Sequence, residues 1–353
     1  MIILIGTKGQ LVKMAPVMKE LQNRGIPYKY VHTNQHPQLC RILEKKFGLK
    51  EPDLHLWTSK KDLEAPYEVL IWAITCFLNV LRNKNFFKGE KLMVTHGDTM
   101  STLFACIIGK MFGMKVAHIE AGLRSFSILH PFPEELVRRL SSKFSDLLFA
   151  PSNWAVRNLR RERGKIINTL QNTVFDTLWR FVGEAQRDKS KGYVVAAIHR
   201  QETIYNKERF KKAVGVVENV AKERKVIYIL HKTSEYQLKK FGLYDKLKRS
   251  TNIELRGYMD YISFMQLVRD SEFVITDGGG LQEETYFLNV PCLLLRNRTE
   301  RMVGLGETAL LSEFKEEKIN YFLQNYKKFQ RKDKFIWKNP SKIIVDELLK
   351  YDK

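Results

Sequence analysis

A chain of 353 residues with 44% hydrophobic content has enough apolar side chain for two cores and too much for a disordered polymer. Its 60 Lys and Arg against 39 Asp and Glu give a formal charge of +21 at pH 7. The basic residues of 207–249 and 315–353 are mixed with acids as on solvated helix faces, without an RGG tract or a helix-turn-helix pattern. Nucleic acid is therefore not an expected partner, and weak peripheral attraction to a membrane is the most the charge implies. Cys40, Cys76, Cys106 and Cys292 lie outside any CxxC or Cys/His spacing and read as small core residues, with no zinc site or disulfide framework.

Ile2–Ile5 reads as a first strand and not a signal peptide, since no basic leader or cleavage site accompanies it, and the expected location is the cytoplasm. A turn at 6–10 leads into a helix through Leu21, and strands are expected at Tyr28–His32, Lys91–Thr95, Val116–Ile119 and Leu147–Ala150. The apolar run Val69–Leu81 is too short to span a bilayer, contains Asn79 and reads as a buried helix. Further strands are expected at Tyr193–Ala197, Val226–Leu230, Ile253–Leu255, Phe273–Thr276 and Cys292–Leu295, separated by helical stretches. This alternation predicts an α/β chain of two Rossmann-like domains facing a central cleft. Residues 1–171 form the first and 172–335 the second, with a helical segment, 336–353, packing back on the first.

Three acids follow one another closely. Val94-Thr95-His96-Gly97-Asp98 ends one apolar strand, Val116-Ala117-His118-Ile119-Glu120 ends the next, and Pro131-Phe132-Pro133-Glu134-Glu135 opens a helix. Side chains at the carboxyl ends of neighbouring parallel strands converge on one crevice. Asp98, Glu120 and Glu134 are therefore candidate acid–base groups, because carboxylates held close raise one another's pKa and supply both acceptor and donor near neutral pH. Asp98 as a helix N-cap and Glu134 as a first-turn partner of the helix dipole remain open as structural readings. Glu120 has no obvious capping task. His199, after a strand and beside Arg200 and Glu202, joins the catalytic candidates, whereas His118 and His231 read as structural.

The second half carries a candidate phosphate site. Thr276-Asp277-Gly278-Gly279-Gly280 follows a strand and feeds a helical run. Three glycines let the backbone approach an anion, and free N–H groups at the positive end of a helix bind it. Glu284, one turn in, suits ribose hydroxyls, and Phe264 is the candidate for stacking on a base. GxGxxG and GxxxxGKS/T are absent and no metal-ligand spacing is present, so no cofactor is expected.

Taken in order, GTK to KMAP at 6–16, HGDT at 96–99, HIEAGLR at 118–124, PFPEE at 131–135, HRQE at 199–202, TDGGGLQEE at 276–284 and RNRTER at 296–301 closely resemble the non-hydrolysing UDP-N-acetylglucosamine 2-epimerases. The resemblance implies the glycosyltransferase-B architecture, a UDP-sugar substrate, a homodimer and a place in polysaccharide biosynthesis. It implies conversion of UDP-N-acetylglucosamine to UDP-N-acetylmannosamine through loss of UDP, a 2-acetamidoglucal, and return of UDP. A hydrolysing 2-epimerase, an epimerase of a related UDP-2-acetamido sugar and a glycosyltransferase on the same fold are the alternatives. By resemblance, Lys13, Arg138, His199 and Gly278–Gly280 hold the diphosphate, and Asp98, Glu120 and Glu134 serve proton transfer and the cationic sugar. Gln35 and His36 match part of a segment that binds a second, activating UDP-sugar.

Several positions depart from the family pattern. Lys8 stands for an arginine, keeping charge without the bidentate fork. Gly9-Gln10 replaces Pro-Glu, Asn34 replaces a glycine, Gly278 replaces a serine and Met302-Val303-Gly304 replaces Pro-Glu. They leave room for a different sugar, such as a diacetamido or uronic derivative.

Overall fold

Short aliphatic runs, buried on both faces as parallel sheets require, form the strands of two separate sheets. The structure is a computed structural model and describes residues 1–35, 37–58, 66–127, 133–183 and 192–352. One unit comprises residues 1–180 with 337–353, the other residues 181–336.

The first unit holds β1 (Ile2–Ile5), β2 (Lys29–His32), β3 (Leu54–His55), β4 (Leu92–His96), β5 (Lys115–Ile119), β6 (Leu147–Ala150) and β7 (Lys165–Asn168), all parallel, in the order β3-β2-β1-β4-β5-β6-β7. The second holds β8 (Tyr193–Ala197), β9 (Lys225–Ile229), β10 (Ile253–Arg256), β11 (Val274–Thr276), β12 (Cys292–Leu294) and β13 (Ala309–Leu311), again parallel, in the order β10-β9-β8-β11-β12-β13. Each sheet reverses its winding direction once, at β1/β4 and at β8/β11. Such a switch point leaves a crevice outside the carboxyl ends of the two strands.

The turn after β1 shows how locally the first crevice is specified. Thr7 caps the Lys8–Asn23 helix, and Gln10 completes a capping box. The Gln10 amide then donates to the His96 carbonyl at 2.7 Å and to Thr102 Oγ1 at 3.0 Å, tying this turn to the end of β4. Gly6 has no room for a side chain, since a Cβ would fall 2.0 Å from Thr33 Oγ1.

Two sequence expectations are corrected. The edge strands β3, β7 and β13 went unanticipated because they are only two to four residues long and partly exposed. The Pro66–Arg82 helix, read as buried, buries only one face. Trp72, Cys76 and Val80 enter the core, while Leu70, Ile71, Ile74, Phe77, Leu78 and Leu81 are exposed. Among the described residues no helix is long and apolar enough to cross a membrane.

The Pro340–Leu348 helix packs on the Lys8–Asn23 helix of the first unit. Its approach is fixed by Asp176, which is fully buried and accepts from Trp337 Nε1 at 2.5 Å and from Ser341 N at 2.6 Å, while Trp337 stacks on Trp179 at 5.0 Å. Burial pushes the Asp176 carboxyl up, and the two donors pull it back. Asp176→Ala strands both donors and should cost roughly 2–4 kcal/mol. A lowered melting temperature with faster hydrogen exchange across 340–348 is expected; unchanged exchange there contradicts the assignment.

Candidate active site

In the first unit, the segments leaving β1, β4 and β5 bring four of the predicted side chains together. Lys13, in the second turn of the Lys8–Asn23 helix, forms an ion pair with Glu120, whose side chain is only 4% exposed. Asn172 Nδ2 donates to the same Glu120 oxygen, Oε1, at 2.5 Å, and His96 Nε2 lies 3.9 Å from Oε2. Glu120 adopts φ +66, a left-handed conformation that costs a residue with a Cβ about 1–3 kcal/mol and is concentrated at functional sites. Asp98 accepts from the buried Arg138 Nη2 at 2.5 Å. Thr99, and not Asp98, caps the Met100–Met111 helix, which removes the capping reading of Asp98.

Glu134 is the first residue of the Glu134–Phe144 helix, one turn before Arg138, and is half-buried. Its neighbour Glu135 is fully buried and accepts from Ser125 N at 2.9 Å and Arg139 Nε at 3.1 Å, with Arg138 Nη1 at 3.5 Å. Sequence reasoning passed over Glu135, although the doubled acid was its signal: the second acid of the pair anchors Arg138. Lys8 opens its helix and is half-buried. Gln35 donates its backbone N–H to the Gly6 carbonyl at 3.0 Å, and His36 lies outside the described residues. Asn34 takes φ +51, so it occupies the left-handed position that a glycine fills with less strain.

Two histidines line the same strand ends. His96 and His118 are buried, and burial drives their pKa values down to about 3 and about 4. Both are neutral imidazoles at pH 7. His118 Nε2–H donates to the Gly97 carbonyl at 2.7 Å, holding the turn that presents Asp98.

The second unit gathers a different set. Backbone N–H groups of His199 and Arg200, leaving β8, each donate to Asp277 at 3.0 Å. Asp277 is fully buried, which pushes its carboxyl up, while those donors pull it down. The His199 ring stacks on His231 at 4.5 Å, so His231 orients it. Gly278 caps the Gly279–Leu288 helix after β11, and a Cβ there would sit 3.1 Å from His199 Cε1. A serine at 278 would require His199 to shift by a few tenths of an ångström.

Beneath the glycine turn lies a buried ion lattice that sequence reasoning saw only as the RNRTER motif. Arg296 contacts Glu202 and Glu300 at 3.3 Å each, Arg301 pairs with Glu283, and a Cβ on Gly279 would meet Glu300 Oε1 at 3.1 Å and Arg296 Nη1 at 3.2 Å. These charges support the turn, leaving Gly280 facing open space. Glu284 accepts from Tyr261 OH at 3.0 Å; Phe264, half-buried, lies one turn further along the Tyr261–Asp270 helix. Thus the first unit holds two ion pairs, Lys13 with Glu120 and Asp98 with Arg138, with Glu134 one turn before Arg138. His199 and Gly278 adjoin in the other, with Glu284 further along the same helix. Among the described residues no group of His, Cys, Asp and Glu is placed to hold a metal ion.

A family model described as UDP-N-acetylglucosamine 2-epimerase matches residues 19–344. The UDP-N-acetylglucosamine 2-epimerase of Methanocaldococcus jannaschii is 31% identical over 358 residues, 96% of this chain and 94% of that protein. Its crystal structure in complex with UDP-GlcNAc and UDP superposes with a TM-score of 0.84 over 99% of both chains at 29% identity. The Neisseria meningitidis enzyme bound to UDP-GlcNAc superposes with a TM-score of 0.81, again over 99% of both chains, at 28% identity.

The two buried imidazoles predict an acid-sensitive fold. An unfolded histidine titrates near 6.5, whereas His96 and His118 take a proton in the folded state only at about 3 and about 4. The unfolded chain therefore binds more protons as pH falls through 6.5, and stability is lost from there downward, by roughly 3 kcal/mol per imidazole. Urea midpoints measured from pH 7 to pH 4 should fall, and His118→Gln should flatten that slope; an identical slope in the variant contradicts the assignment.

Proposed function

The chain belongs to the UDP-N-acetylglucosamine 2-epimerase family, and from that premise we propose that it inverts C2 of UDP-N-acetylglucosamine and returns the sugar as UDP-N-acetylmannosamine. The observation that carries this reading is the pair of acid–cation contacts, Glu120 with Lys13 and Asp98 with Arg138, at the carboxyl ends of neighbouring strands β5 and β4.

The C2 proton of a sugar is not acidic, so the C1–O bond must break first, its electrons passing to the β-phosphate. A carboxylate then takes the C2 proton, and the C–H pair becomes the C1=C2 bond of a 2-acetamidoglucal. In the return step a proton is delivered to the opposite face of C2 and the phosphate oxygen closes on C1. Nothing is consumed. Two faces need a donor and an acceptor in each direction, which is the use of several carboxylates. Departing UDP gathers charge on phosphate, and in the second unit the Gly278–Gly280 amides with His199 answer that charge. Glu284, oriented by Tyr261, serves the ribose, and Phe264 the uracil.

Incubation with UDP-N-acetylglucosamine followed by NMR of the products distinguishes the outcomes. A UDP-linked manno sugar is expected; free N-acetylmannosamine with stoichiometric UDP overturns the non-hydrolysing reading. Glu284→Ala should weaken UDP binding about tenfold or more by calorimetry without lowering the melting temperature. Unchanged affinity removes Glu284 from the site.

The family resemblance to a homodimer acquires a physical basis in the exposed face of the Pro66–Arg82 helix. Leu70, Ile74, Phe77 and Leu81 recur at spacings of four, three and four, flanked by Ile71 and Leu78, and all six are between 40% and 64% exposed. A helix-pair seam has this spacing, and a monomer rarely leaves such an apolar stripe in water. A second copy presents the identical stripe. Sedimentation at micromolar concentration should show a dimer for the wild type and a monomer for Ile74→Glu; a monomeric wild type contradicts the proposal.

A further inference from the structure

We infer that Asn172 is a positioning residue that holds Glu120 as the ionised acceptor of the C2 proton, an inference that rests on the epimerase reading of the site. Asn172 is 3% exposed and both ends of its carboxamide are engaged: Nδ2 donates to Glu120 Oε1 at 2.5 Å, while Oδ1 accepts from Val174 N at 3.3 Å. The second bond fixes which end is which, because a flipped amide would set its NH₂ against an N–H and its oxygen against a carboxylate. The donor end is thereby aimed at Glu120.

Backbone strain sits on both sides of this contact. Glu120 has φ +66, and Leu170, two residues before Asn172, has φ +65 with half its side chain in water. The turn is pinned by Thr169, whose N–H and Oγ1 both bond the Ala150 carbonyl at 2.8 and 3.1 Å, and by Asn168 Oδ1 accepting from Leu170 N at 2.8 Å. Strain of this kind persists only where the surroundings over-determine it. Here it delivers a neutral donor to a buried carboxylate.

The other groups around Glu120 point the same way. Lys13 reaches it from the Lys8–Asn23 helix; His96, from β4, and His118, from β5, are neutral; and the Asp98 carboxylate is engaged by Arg138. Two donors on one oxygen, one of them charged, favour the ionised form. Glu120 therefore takes the proton that leaves C2 in the forward direction, and another carboxyl supplies the proton on the opposite face.

Asn172→Asp separates positioning from capping. Aspartate has the same size and accepts from Val174 N as well as asparagine does, so a residue that merely caps the Val174–Phe181 helix tolerates the change. A positioning residue does not, because the new carboxylate faces Glu120 with like charge. We expect kcat for epimerisation to fall about 100-fold or more with KM within about threefold. The acid limb of the kcat–pH profile should move up by about one unit or more. Asn172→Ala should fall between the variant and wild type. Wild-type kcat and an unshifted acid limb in Asn172→Asp overturn the inference. Carboxyl ¹³C NMR, with the Glu120 resonance assigned by its loss in Glu120→Gln, reads the same contact without turnover. Its titration midpoint should rise in Asn172→Asp, and an unmoved midpoint overturns the inference even if the wild type fails to epimerise UDP-N-acetylglucosamine, a failure that would overturn only the reaction.

Discussion

A carboxylate buried as deeply as Glu120 stays charged only if a cation and a further donor reach it, since an unpaired buried ion costs several kcal/mol. Lys13 and Asn172 meet that condition, and they come from distant parts of the chain: the helix after β1 and the turn after β7. The contact therefore exists only when β1, β4, β5, β6 and β7 stand in their observed order. Much of the first unit serves it. Gln10 fastens the start of the Lys13 helix to the end of β4, Gly6 allows that turn to close against Thr33 and Ser101, and Thr169 pins the turn that carries Asn172. Asp98 and Arg138 repeat the arrangement one strand over, with Glu135 anchoring the arginine from below.

The second unit solves a different problem. An anion held by backbone N–H groups needs a rigid turn without side chains, and three glycines alone give a turn that is free of side chains but flexible. Rigidity comes from underneath. Asp277 clamps the backbone leaving β8, and the Arg296, Arg301, Glu283 and Glu300 lattice fills the space that a side chain on Gly279 would take. These charges act as a floor to the turn, and we read the lattice as serving geometry more than stability, since a buried ion pair is weak evidence for stability.

The central strands were legible because burial on both faces leaves an unbroken aliphatic signature, as at Ile2–Ile5 and Tyr193–Ala197. Edge strands such as Lys165–Asn168 carry only half that signal. The acids at 98 and 120 were legible from their place at strand ends. Asn172 and Gln10 were not, because nothing in a one-dimensional pattern tells a local capping amide from one that also reaches across the sheet, and Glu135 was signalled only by the doubled acid. The apolar Val69–Leu81 run misled for a related reason: composition records that a helix is apolar, not which of its two apolar faces meets the core.

Solvent exchange at C2 tests the acid–base account most directly. The enzyme is incubated with UDP-N-acetylglucosamine in deuterium oxide, and the UDP-linked sugars are recovered before equilibrium. Deuterium at C2 of the UDP-N-acetylmannosamine formed, lost about 10²-fold or more in rate in a folded, UDP-binding Glu120→Gln variant, is the predicted result. Formation of the manno product with C2 protium retained, or near wild-type exchange in Glu120→Gln, would contradict it.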